Sequence, residues 1–85
     1  MKIRVLLFAI LKDAAGTGEV GLDVPEGASV AEIRDVLGRR FPALGVYLPR
    51  VAFAVNRTYA SIDTKLKAGD EVALIPPVSG GSEAD

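Results

Sequence analysis

With 85 residues the chain fits one domain and leaves no room for two functional modules, and its 49% apolar and 25% charged content is that of a packed globular protein, not a disordered one. Ten basic and eleven acidic side chains give a net charge of −1, which offers no overall attraction to nucleic acid or to an anionic membrane. Cysteine and histidine are both absent, so disulfides, thiolate nucleophiles, the usual metal ligands and the commonest general base are excluded. With no phosphate-binding loop or dinucleotide fingerprint either, a self-contained catalytic site is not expected.

Residues 3–11 are rich in β-branched and bulky apolar types and end at Asp13-Ala14-Ala15-Gly16-Thr17-Gly18, which predicts a strand followed by a turn. The apolar run from Val5 to Leu11 lies between Arg4 and Lys12, is too short to span a bilayer, and lacks a signal-peptide cleavage pattern behind it, so a cytoplasmic protein is expected. Val20, Leu22 and Val24 then alternate with Glu19, Gly21 and Asp23, the period of a half-buried strand, before Pro25-Glu26-Gly27 stops it. The two segments together predict a hairpin.

"SVAE" at Ser29 is a capping-box sequence: the serine hydroxyl accepts from the third helical amide while Glu32 accepts from the serine amide. Val30, Ile33, Val36 and Leu37 recur at helical spacing, and Phe41-Pro42 closes the helix because the residue before proline disfavours helical geometry. A third strand is expected over 51–55, followed by Asn56-Arg57 and a short partner at Thr58-Tyr59, then a turn over 67–70 and a last long strand at Glu71–Ile75. This order predicts an α+β domain over residues 1–77, with one main helix across one face of a mixed sheet of four to five strands.

A sheet with a single helix has one uncovered face, and residues pointing that way are normally polar. Here, if Ile3, Val5, Leu7, Val72 and Leu74 face the helix, then Leu6, Phe8, Ile10, Ala73 and Ile75 face outward. Either loops shield the central strands or the outer face is a partner interface centred on Phe8 and Ile75.

Pro76 and Pro77 donate no amide, so they end the sheet ladder and hold the chain extended as it leaves the last strand. Residues 78–85 then form a separate tail. Its first four residues, Val78, Ser79, Gly80 and Gly81, reach about 13–14 Å beyond Pro77 when extended. The side-chain-free Gly80 and Gly81 would pass a channel too narrow for other residues, although glycine, serine and acidic residues are also what solvated termini commonly contain. Ser79 has no histidine to activate it.

Residues 1–81 resemble the molybdopterin synthase small-subunit family, ubiquitin-like sulfur carriers with the β-grasp fold. The likeness lies in "KIRVLLFAILKD", the serine-capped helix and "VAFAVNRTYASIDTKLKAGDEVALIPPVSGG", most specifically in Gly69-Asp70-Glu71-Val72 leading to Pro76-Pro77-Val78-Ser79-Gly80-Gly81. Asn56 and Phe8-Ala9 also stand where the family has them. The resemblance implies a non-catalytic carrier whose Gly81 carboxylate is adenylated by a separate E1-like enzyme and converted by a sulfur donor to a thiocarboxylate. The large synthase subunit would take up Val78, Ser79, Gly80 and Gly81, and sulfur would pass to the cyclic pyranopterin precursor during molybdenum cofactor biosynthesis. Phe8, Ile75, Pro76, Pro77 and Lys12 would meet the partner, with Lys12 where relatives often carry arginine. No cofactor is implied on this chain; ATP is used by the activating enzyme.

Family members normally end at the second glycine, whereas this chain continues Ser82-Glu83-Ala84-Asp85. An internal Gly81 has an amide where adenylation needs a carboxylate, so a protease cut between Gly81 and Ser82 is expected. Two other readings remain open at this stage: a β-grasp carrier or protein modifier for thiamine, cysteine, tRNA thiolation or lysine conjugation, and an uncleaved binding module whose apolar face recruits a partner or a second copy.

Overall fold

The computed structural model describes residues 1–77. The elements run β1 (Lys2–Leu7), α1 (Ile10–Ala15), β2 (Glu19–Asp23), α2 (Val30–Arg40), β3 (Ala52–Val55), β4 (Thr58–Ala60) and β5 (Glu71–Ile75), with 3-10 turns at Pro42–Leu44 and Leu48–Arg50. The strands form one mixed sheet in the order β2-β1-β5-β3-β4. The central strand β5 runs parallel to its neighbour β1, and the other pairs are antiparallel.

Burial follows the sequence alternation. Ile3, Val5 and Leu7 of β1, Val20 and Leu22 of β2, Phe53 of β3, and Val72 and Leu74 of β5 turn to one face. There they form a single core with Val30, Ile33 and Leu37 of α2, and Val36 packs half-buried against its margin. A parallel pair at the centre of a sheet needs a crossover, and α2 lies within it.

The capping box at Ser29 is present in full: the Glu32 amide donates to Ser29 Oγ at 3.4 Å and the Ser29 amide to Glu32 Oε1 at 3.0 Å. The next two amides of the helix, those of Val30 and Ala31, donate to the carbonyls of Thr64 and Ile62, so the loop before β5 satisfies donors that a helix start leaves orphaned. Phe41 closes α2 as expected, its amide still bonding to the Leu37 carbonyl at 2.8 Å. Arg40 then donates to the Gly21 carbonyl at 3.3 Å, occupying an acceptor on the edge strand β2.

The first strand is shorter than its apolar run. It ends at Leu7, and residues 10–15 are helical instead of extended. Ala9 adopts φ 51°, the Leu11 amide donates to the Phe8 carbonyl at 3.0 Å, and Leu11 turns into the core at 0% exposure. Leu7 and Leu11 are four residues apart, the spacing that keeps two apolar side chains on one side of a helical turn, so the period of the run changes within it. The β1–β2 connection is consequently not a tight hairpin; α1 fills it and is closed by Gly16 in the left-handed conformation at φ 78°.

Residues 42–50, to which hydrophobic periodicity assigns no element, make two 3-10 turns, each with proline in its first positions, that bury Leu44 and Leu48. β3 begins one residue later than expected and β4 extends one residue further, to Ala60. Among the described residues no helix is long and apolar enough to cross a membrane.

Candidate functional site

The parallel register of β1 on β5 pairs Leu6 with Ala73 and Leu7 with Leu74, which brings Phe8 level with Ile75. On the other side β3 pairs Ala52 with Ile75 and Ala54 with Ala73, and β4 sets Tyr59 against Ala54. Strand alternation therefore turns Leu6, Phe8, Ala73, Ile75, Ala54 and Tyr59 to the face that α2 does not cover. Two central alanines make that face concave. The result is an open groove of ≈ 390 Å³, with Ala54 and Ala73 as its floor and Phe8 and Tyr59 at its two sides.

This face is open to solvent. Phe8 is 47% exposed and Tyr59 75%, so among the described residues no loop shields it. Arg57 and Glu71 line the end of the groove away from Ile75, Glu71 accepting from Arg4 at 3.2 Å. An apolar trough with charged groups at one end matches the usual pattern of a protein interface, in which apolar side chains at the centre supply affinity and polar groups at the rim fix orientation.

Of the residues picked out from sequence, Phe8 and Ile75 meet in this groove. Pro76 is half-buried and Pro77 exposed directly beyond β5, at the same end of the sheet as Phe8. Lys12 is placed elsewhere: it lies on α1, with its aliphatic stem across Gly18, and does not line the groove. Ile10 is exposed as expected but on α1, not on the strand. Val78, Ser79, Gly80, Gly81 and Ser82 lie outside the described residues. Tyr59, Ala54 and Arg57 were not anticipated; once β4 is placed beside β3, alternation alone assigns Tyr59 to the outer face.

A polar clasp fixes the start of β5. Asn56 and Arg57 both have positive φ, 50° and 71°, which makes the β3–β4 connection a tight two-residue hairpin turn. From that turn the Asn56 side chain donates to Asp70 at 3.0 Å and accepts the Glu71 amide at 3.0 Å, while Asp70 also accepts the Lys67 amide at 2.8 Å. The Lys67 amide, with the Asn56 amide second, holds the Asp70 carboxyl below its ordinary range. A depressed folded pKa contributes stability that is fully present above the unfolded value, about 3.9, and is lost as pH falls through the folded value. Asp70→Asn is therefore expected to lower stability by about 1 kcal/mol at neutral pH. Urea titrations of both proteins should show the gap constant above about pH 5 and closing below about pH 4. A gap independent of pH would show that the carboxylate charge has no part in the clasp.

Among the described residues no three carboxylates converge as a cation site. The site is an exposed apolar groove placed where the chain leaves its central strand.

The ThiS family model matches residues 5–81, ending at the second glycine of the tail. The chain belongs to the ThiS family. Its relatives include the molybdopterin synthase sulfur carrier subunit of Chlamydomonas reinhardtii, 39% identical, with 95% of this chain and 100% of the relative covered. Among solved structures, small archaeal modifier protein 1 from Haloferax volcanii superposes with a TM-score of 0.85 at 35% identity, covering 95% of this chain and 100% of that one. A second is the complex of subunits 1 and 2 of molybdopterin-converting factor from Helicobacter pylori, matched with a TM-score of 0.70 at 27% identity over 95% of this chain and 100% of that chain. The fold of this ThiS-family chain is thus the ubiquitin-like β-grasp.

Proposed function

We propose that this chain is the sulfur-carrier subunit of a molybdopterin synthase, bearing sulfur as a thiocarboxylate on Gly81 once residues 82–85 have been removed. The observation that carries the reading is the junction at the end of β5. There Ile75 belongs at once to an exposed apolar groove with Phe8 and to the strand that continues through Pro76-Pro77 toward the glycine pair where the family match ends. A large subunit seated on the groove would have the tail directed into it.

The chemistry follows from the residues available. Hydrolysis of the Gly81–Ser82 peptide bond leaves a carboxylate on Gly81. An E1-like enzyme joins that carboxylate to the α-phosphate of ATP, releasing pyrophosphate and forming an acyl-adenylate. A sulfur donor equivalent to sulfide displaces AMP, and the acyl carbon now carries sulfur. In the large subunit this sulfur forms a C–S bond to a carbon of the cyclic pyranopterin precursor, displacing an oxygen from that carbon, which leaves with a proton; water then cleaves the acyl–sulfur bond, leaving the sulfur on the precursor and the carboxylate on Gly81. With neither cysteine nor histidine in the sequence, the chain's contribution is to present the carboxyl group, and the reacting side chains belong to its cytoplasmic partners.

The test is ATP–pyrophosphate exchange with the E1-like partner. A chain ending at Gly81 is expected to support exchange, and the 85-residue chain to give only background until it is trimmed. Equal exchange by the untrimmed chain, with residues 82–85 still attached by mass, contradicts the proposal.

A further inference from the structure

Arg57 stands second in the β3–β4 turn at φ 71°, a backbone conformation that suits glycine and that any larger residue enters only at a cost. Asn-Gly is the pair such a turn ordinarily takes. Here arginine occupies the glycine position, and Asn56, bonded to Asp70 and to the Glu71 amide, holds the turn in shape. The Arg57 side chain is exposed, lines the outer groove and makes no ion pair among the described residues. Strained backbone of this kind persists where the side chain it presents has a use, and the fold itself makes no use of this charge.

The other charges nearby are already matched. Arg4 Nε meets Glu19 at 3.3 Å and Arg4 Nη2 meets Glu71 at 3.2 Å, so carboxylate, guanidinium and carboxylate alternate in contact across β2, β1 and β5. The Asn56 amide donates to the Glu71 carbonyl at 2.8 Å, which sets the turn beside Glu71 and makes Arg57 the next charge in the row. Asp70 is engaged by the Asn56 side chain and the Lys67 amide. Arg57 alone in the row has no such contact among the described residues. The groove is thus directional: Phe8 and Ile75 stand where the chain leaves β5, and Arg57 stands with Glu71 at the other end. Ile75 and Glu71 are the two ends of β5, about 13 Å apart along the strand.

We propose, on the basis of the carrier reading, that Arg57 determines how the large synthase subunit seats: it receives a carboxylate which that subunit carries about 13 Å along the groove from the apolar side chain it packs on Phe8 and Ile75. Apolar contact alone admits a segment in either direction, whereas a cation at one end favours the direction that brings a carboxylate to it. That direction fixes which part of the large subunit meets the chain where Pro76 and Pro77 follow β5. The planar guanidinium can hold both carboxylate oxygens, which sets orientation as well as charge. Arg57 touches no reacting atom and acts as a positioning residue.

The experiment titrates Arg57 variants into the large subunit by calorimetry, with thermal melts of the free chains. Arg57→Gln is expected to weaken binding about 10-fold and Arg57→Glu about 100-fold at low salt, the second loss shrinking as salt is raised. Arg57→Gly separates positioning from folding: glycine suits φ 71°, so the free variant should melt no lower than wild type while binding about as weakly as Arg57→Gln. Reversing the large subunit's exposed aspartates and glutamates to arginine, one at a time, should yield one variant that restores binding to Arg57→Glu and loses it to wild type. Wild-type affinity in Arg57→Glu beside a loss in Phe8→Asp would overturn the proposal and leave the carrier reading standing, as would a loss that no charge reversal restores. Impaired ATP–pyrophosphate exchange with unchanged large-subunit affinity would overturn it by moving the contact to the activating enzyme. A wild-type chain that does not bind the large subunit would remove the carrier reading and this proposal together.

Discussion

Phe8→Asp is expected to weaken binding to the large synthase subunit by at least about 30-fold, the loss that follows when a central aromatic anchor worth about 2 kcal/mol or more is removed. Phe8 stands at one side of the groove, level with Ile75, and is nearly half exposed in the free chain. Its ring therefore has area to bury in a complex and contributes little to the isolated fold. The aspartate removes that area and sets an unpaired carboxylate where the interface would exclude water. Calorimetric titration into the large subunit reads the affinity, and a thermal melt of the free variant should stay within a few degrees of wild type. Unchanged affinity with an intact fold would remove the outer sheet face from the interface.

Leu74→Ala acts on the opposite side of the same strand and should have the largest effect on stability. Leu74 is fully buried, opposite Leu7 on β1 and Phe53 on β3, so truncation opens a cavity at the middle of the sheet. Large-to-small changes of this kind cost about 2–5 kcal/mol. An 85-residue domain has roughly 4–13 kcal/mol in total, and each kcal/mol moves its melting temperature by about 4–8 °C. Denaturant titration should show the midpoint falling with the slope unchanged. A loss below about 1 kcal/mol would mean that the core collapses around the site, contrary to a packed centre between β1 and β3.

The two strand faces differ in how legible they were. The inward set on β1, β2 and β5 is a two-residue alternation, and the Ser29 cap and the Phe41-Pro42 stop are local chemistry, so α2, β2 and β5 could be read directly. The apolar run through Leu11 could not, because strand and helix both bury apolar residues and the switch is a backbone event at Ala9 without glycine or proline to mark it. At Asn56-Arg57 the strand and its short partner could be read on either side, but the turn's backbone could not: two non-glycine residues take positive φ, and the compensation comes from Asp70 and Glu71, far along the chain.

The outer groove was half legible for a related reason. Phe8 and Ile75 could be assigned to the outer side by alternation within their own strands, but their adjacency depends on the parallel pairing of β1 with β5, a long-range contact without a local signal. Tyr59 required the placement of β4, and the groove's depth depends on Ala54 and Ala73 being small where their strands meet. Lys12 illustrates the converse: the family resemblance implied it at the partner surface, and the turn into α1 places it outside the lining of the groove.

The central claim is that Gly81 becomes a free carboxyl group that carries sulfur, and the most direct measurement is the intact mass of the untagged protein isolated from its own cells. The account predicts a chain that has lost residues 82–85, with a fraction in which one terminal oxygen is replaced by sulfur and from which reducing agents remove nothing, because no thiol or disulfide is involved. A chain that keeps residues 82–85 in every growth condition, with no mass corresponding to a thiocarboxylate, would contradict it and identify the protein as a binding module that uses its apolar face alone.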